Sequence, residues 1–160
     1  ALKILRTRFR AEQILSLAGD AVPLPDGSLE YVTALDVLEH VPDDGAVVRG
    51  FHRLLKPGGV YVFDTPHRYS GPHDVSRYFG STLQCFHFQE WTYREMRKLL
   101  QRHGFAKTCM YRTGKPRVSK SLNLANDLVE ALLGLLPITV RHLLSVRLFP
   151  SVVMVAWATK

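Results

Sequence analysis

Two short apolar runs, Tyr31–Leu35 and Val60–Phe63, are separated by an acidic loop, a helical pattern and the breaker Pro57-Gly58-Gly59. Strand, helix, strand at this spacing joins neighbours in a parallel sheet, because parallel strands need a crossover of about a dozen residues or more. The first run is β-rich and apolar enough for a central strand. This pairing constrains the chain to an α/β fold more than any other feature does.

The flanking signals agree. Pro23, Pro25, Asp26 and Gly27 punctuate a turn before the first run. Asp43 and Asp44 open the helix, whose positions Val47, Val48, Phe51, Leu54 and Leu55 share one face. Thr92 with Glu95 forms a capping box for a further helix, with Met96, Leu99, Leu100 and His103 along one face and Gly104 at its end. Ala106–Tyr111 reads as a strand, 121–149 as two apolar helices split by Pro137, and Val152–Trp157 as a closing strand compatible with an antiparallel edge. Upstream, residues 2–11 suggest a short basic amphipathic helix, and Gln13–Ala18 a buried strand ended by Gly19-Asp20. Residues 64–88 are too long for a mere connector, and such a loop is usually functional or disordered.

A chain of 160 residues with net charge +7 builds one substantial core and attracts anions. It holds no aromatic-interleaved basic patch, so a nucleic-acid partner is not expected. Cys85 and Cys109 lack metal-ligand spacing, and His67, His73 and Asp74 lack helical or hairpin spacing, so no metal site is expected. The two thiols suit a reducing, cytoplasmic compartment. No run approaches the roughly 20 apolar residues of a membrane-spanning helix.

Ligands of open α/β sheets bind beyond the carboxyl ends of the strands. Asp20-Ala21, Asp36–Val41 and Asp64–Tyr69 lie there. Asp20 either accepts a hydrogen bond from an adenine amino group or ends its strand as an Asx-turn. Asp36 and Glu39 carry charge that offsets a cation. His40 either positions a substrate and takes a proton, or caps the next helix with Glu39. His67, Tyr69 and His73 are candidate substrate contacts, whereas His87 sits where packing at a helix start is expected.

Four blocks in order resemble a class I S-adenosylmethionine (SAM) dependent methyltransferase of the type 11 methyltransferase-domain family: Val22–Glu30, Ala34–Val41, Phe51–Gly59 and Thr92–Phe105. The resemblance covers about residues 12–112. It implies a Rossmann-like methyltransferase sheet with family strand order 3-2-1-4-5-7-6 and a helical insertion before the last strand. It also implies SAM as cofactor. Asp20, Ala21, Asp36, Val37, Leu38 and His40 would border that cofactor. His40 and His67 would be catalytic, and Tyr69 and His73 would face a small-molecule acceptor.

Three departures accompany the match. Asp20 lies about two residues closer to Pro23 than the family pattern has it, Glu30 stands for the customary Asp, and no Gly-rich loop occurs. That loop and two central strands would precede Ala1. The sheet is therefore expected to be incomplete on its N-terminal side and the chain to be truncated. Strand 13–18 would lie beside 31–35, or the exposed edges would be covered by another copy in a homo-oligomer. The expected organisation is one partial domain over 1–160 with an insertion or lid at 113–150. Helices 121–149 would complete the core, cover an apolar acceptor, or touch a membrane surface with Arg141, His142 and Arg147. The resulting function is methyl transfer to a small molecule; the alternative is a non-catalytic remnant acting as an interaction module.

Overall fold

In the computed structural model, which describes residues 2–15, 22–71, 87–112, 115–117, 120–149 and 151–159, the apolar runs assemble into one sheet. Its strands are β1 (Leu29–Leu35), β2 (Leu55–Pro66), β3 (Phe105–Arg112), β4 (Lys115–Arg117) and β5 (Ser151–Ala158). The helices are α1 (Leu2–Arg8), α2 (Asp44–Leu54), α3 (Tyr93–Arg102), α4 (Lys120–Gly134) and α5 (Ile138–Leu148). Strand order is β1-β2-β5-β3-β4, with β1 and β2 parallel and β5 antiparallel to both β2 and β3. The first four positions reproduce the 4-5-7-6 half of the order that the resemblance implies, so the fold is α/β and Rossmann-like.

Two expectations need correction. The closing strand β5 is antiparallel but is no edge, for it lies between β2 and β3. Its eight residues carry no charge and alternate apolar side chains on both faces, which suits an interior strand. The strand expected over Gln13–Ala18 does not begin: Ala11–Gln13 form a 3-10 turn, and Leu15 is exposed. The turn is held by the Gln13 N–H on the Arg10 carbonyl and the Arg10 N–H on Gln13 Oε1. Residues 16–21, including Asp20 and Ala21, lie outside the described residues. The short hairpin strand β4 had no sequence signal.

Local chemistry explains the element ends. Asp43 accepts the Ala46 N–H at 2.8 Å and caps α2. Arg53, near the end of α2, donates to the carbonyls of Val22 and Leu24 and pairs with Asp26, fixing the Pro-rich turn against the helix. Thr92 and Glu95 form the expected reciprocal capping box of α3. Gly104 follows at φ +92°, and a Cβ there would meet His52 Nε2 at 2.5 Å, so glycine is required.

One face of the sheet is the core. Ala34, Tyr61, Phe63, Val152, Met154, Ala156 and Ala158 are buried there with Val48 of α2, Met96 and Leu100 of α3, and Leu133 of α4. The Tyr61 ring stacks on Phe63 at 4.8 Å and approaches Phe51 and Phe105. The opposite face, with Tyr31 and Leu35 of β1, Val60 and Val62 of β2, and Val153 and Val155 of β5, is exposed or half-buried. Among the described residues the outer edge of β1 pairs with nothing. No helix among them is long and apolar enough to cross a membrane.

Candidate functional site

Where β1 and β2 end, the chain places two carboxylates side by side. Asp36 follows β1 at φ +51°, a left-handed conformation that Asp tolerates better than most residues, and its N–H donates to the Asp64 carbonyl at 3.1 Å. Asp64 is half-buried in β2, and its Oδ1 has no hydrogen-bond partner. Burial pushes its carboxyl above the usual range, a Ser151 hydrogen bond pulls it back, and the Asp36 charge pushes it up again. Two acidic groups at the ends of adjoining parallel strands make the crevice attractive to a cation.

The next turn, Leu38–His40, reaches across the strand ends. Val37 is half-buried, whereas Leu38 is 1% exposed and packs in the core. With its side chain in the core, Leu38 could border a cofactor only through its backbone. Glu39 is equally buried and accepts the Thr65 hydroxyl at 2.9 Å. His40 is 46% exposed, 3.9 Å from Glu39, with its ring edge-on to His87 at 5.2 Å. Of the candidate catalytic histidines His40 and His67, His40 is the exposed one.

His67 does not. It is 0% exposed, its Nδ1 accepts the Tyr69 N–H at 3.1 Å, and its Nε2 lies 2.9 Å from Glu130. An accepting Nδ1 requires the proton on Nε2, which donates to Glu130. Both nitrogens are committed inside the protein, so the expectation of a catalytic His67 is corrected to a structural one. Glu130 of α4 also accepts the N–H groups of Tyr93 and Arg94 and so caps α3 from another helix.

Tyr69 is half-buried beneath the α4–α5 hairpin. Its carbonyl accepts the Ser145 hydroxyl, and the Arg141 guanidinium stands 4.8 Å over its ring. His142 bonds to the Gly71 carbonyl. The hairpin is thereby rooted on the segment that leaves β2. His73 lies outside the described residues.

Sequence reasoning missed the Asp64 carboxylate as a named site residue and the link between Glu39, His40 and His87. The strand-end position of Asp64 was a usable signal. The proximity of His87 to His40 had none, because 47 positions separate them. A concavity of about 350 Å³ lined by Gly58, Ala106, Lys107, Trp157 and Ala158 lies at the other end of the strands and offers no convergent polar groups. Cys109 is buried, and burial pushes its thiol up, away from nucleophilic use.

The comparisons with known proteins point to one family and one fold. Residues 4–109 match the model of a methyltransferase domain family. Over 84 residues the chain is 36% identical to a Mycolicibacterium smegmatis protein that carries the name of an S-adenosylmethionine-dependent methyltransferase, covering 52% of this chain and 31% of that one. Over 42 residues it is 50% identical to the ubiquinone biosynthesis O-methyltransferase of Pseudomonas aeruginosa, covering 26% and 18%. The chain thus spans less than a third of the length of these curated relatives. Burkholderia thailandensis 1,6-didemethyltoxoflavin-N1-methyltransferase, solved with bound 1,6-didemethyltoxoflavin and S-adenosylhomocysteine, shares the fold at TM-score 0.55 and 17% identity, covering 99% of this chain and 56% of that one. A chain from the Haloferax volcanii complex of the Trm112 activator with a methyltransferase shares it at TM-score 0.62 and 16% identity, covering 99% and 67%. Fold, strand order and family match agree that this chain belongs to the class I SAM-dependent methyltransferases.

Proposed function

We propose that the chain forms the methionine-end and acceptor side of a site that transfers a methyl group from SAM to an apolar small molecule. The supporting observation is the pair Asp36 and Asp64 at the carboxyl ends of β1 and β2, one of them with a partnerless, half-desolvated oxygen. That donor set fits a cationic sulfonium. SAM supplies a methyl group that is already electrophilic. Asp36 and Asp64 offset its charge, Val37 flanks it, and His40 orients the acceptor or takes its proton, so catalysis rests mainly on proximity and orientation. Residues 1–160 act as one domain, with 113–150 as its lid. The buried free thiol suits the cytoplasm.

Calorimetric titration with S-adenosylhomocysteine tests this proposal. Saturable 1:1 binding is expected, weakened about tenfold or more by Asp36→Ala, the size of one lost charge-assisted contact. A folded chain that gives no heat overturns the reading in favour of a non-catalytic interaction module.

The apolar acceptor is suggested by the hairpin. Leu124, Leu128, Leu132, Leu135, Ile138 and Leu143 are all exposed on α4, α5 and their connection, while the acids Asp127 and Glu130 turn inward to Arg97 and to α3. Such a surface meets an anionic lipid surface with apolar tip and basic flank. Flotation with anionic vesicles is expected, reduced about tenfold by Leu135→Asp because a buried leucine contributes about 1.5–3 kcal/mol. Flotation indifferent to lipid charge or to Leu135 would dispose of the membrane contact.

A further inference from the structure

We propose that Glu39, His40 and His87 form a binding site for one divalent metal ion of borderline softness, of the Zn²⁺ or Co²⁺ kind. A carboxylate oxygen of Glu39 and one ring nitrogen from each histidine lie within 4.8 Å of one another. A tetrahedral zinc at its usual bond lengths holds its ligand atoms about 3.3 Å apart. Glu39 Oε1 and His40 Nε2 are 3.9 Å apart, so small side-chain rotations close the triangle. Two imidazoles and a carboxylate are the donor set of open, three-ligand metal sites, and the nitrogens select against Mg²⁺ and Ca²⁺.

The surroundings supply the outer layer such a site needs. The Thr65 hydroxyl holds Glu39 Oε2 at 2.9 Å, while Oε1 is the oxygen nearest His40. Glu90, itself 1% exposed, takes His87 Nδ1 at 3.1 Å. With Nδ1 held by a carboxylate, Nε2 is the nitrogen His87 would give to a metal, the arrangement that orients zinc-binding histidines elsewhere. The Phe88 N–H donates to the Glu39 carbonyl at 2.7 Å and locks the two ligand-bearing segments together.

Charge points the same way. Glu39 is a buried carboxylate whose hydrogen bond comes from a neutral hydroxyl and whose remaining oxygen faces an imidazole. A buried charge requires compensation, and a dication held by these three groups provides it. Because His40 is half-exposed, an open position remains on its side for water or an oxygen ligand. A role in polarising an acceptor oxygen rests on the methyl-transfer reading above; the binding of the metal does not.

The test is titration of the full chain with Co²⁺, followed by its visible d–d absorption, and with Zn²⁺ by calorimetry. One ion per chain is expected. His40→Ala and His87→Ala should each weaken binding about tenfold or more, and Glu90→Gln by about 10- to 100-fold, the usual loss for an outer partner. His103→Gln, away from the cluster, should change nothing. His40 is exposed enough that its alanine variant keeps the fold, which circular dichroism checks. Absence of a Co²⁺ band, or an affinity indifferent to His40→Ala, overturns the site: the first result would mean that the cluster holds no ion, the second that the ion sits elsewhere. Either failure leaves the S-adenosylhomocysteine titration unaffected.

Discussion

Phe63→Ala is expected to lower the unfolding free energy by about 3–5 kcal/mol, the range for deleting a buried aromatic ring. Phe63 is 0% exposed at the centre of β2, opposite Ala34 on one side and Met154 on the other, with its ring stacked on Tyr61. Its neighbours are strand residues in fixed register, so the cavity term adds to the transfer term. A domain stable by about 5–15 kcal/mol loses a large share of that margin. Val62→Ala, one residue away on the half-buried face, is the control and should cost about 1 kcal/mol. Urea unfolding separates them: the midpoint should fall steeply for Phe63→Ala and slightly for Val62→Ala, with the slope unchanged in both. Equal losses would mean that the sheet has two buried faces and that the open face described above is wrong.

That open face also shows how far the sequence could be read. Helix α3 was legible because its capping box, apolar stripe and terminal glycine are all local. The β1–α2–β2 unit was legible for the same reason, from Asp43 to Pro57-Gly58-Gly59. The position of β5 was legible only through the family order, which puts the last strand between its two predecessors; Val152–Trp157 by itself does not say which strand it joins. The register against Tyr61 and Thr108 fixes it in the interior. Sidedness was also hidden. Tyr31 and Ala34 occur in one apolar run, yet the first is 68% exposed and the second buried. The site divides in the same manner. Asp36 and His40 could be located from the strand end they follow. The fate of His67 depended on Glu130, 63 positions away, and no local pattern announces such a partner.

Glu130→Leu is the second substitution expected to act strongly, and for a different reason. Its carboxylate accepts three donors inside the protein: His67 Nε2 at 2.9 Å, the Tyr93 N–H at 2.7 Å and the Arg94 N–H at 3.1 Å. Leucine fills most of the volume but strands all three. The two buried donors, His67 Nε2 and the Tyr93 N–H, cost about 1–3 kcal/mol each when left without an acceptor, so a total of about 2–6 kcal/mol is expected. The favourable charge at the start of α3 is lost as well. Glu130→Gln keeps a carbonyl oxygen for one or two of the donors and should cost less, about 1–3 kcal/mol. His67→Phe removes the donor on Nε2 and, with Nδ1, the acceptor of the Tyr69 N–H. Its combination with Glu130→Leu should therefore fall short of the sum of the two single losses by about 0.5–3 kcal/mol, the coupling of residues in direct contact. Because Glu130 ties α4 to α3 and to the segment leaving β2, Glu130→Leu should also loosen the α4–α5 hairpin. Faster amide exchange in 120–148 than in β2 would report that loosening. A fully additive pair with unchanged exchange would mean that the hairpin is held by its apolar contacts alone, and that Glu130 serves only as the cap of α3.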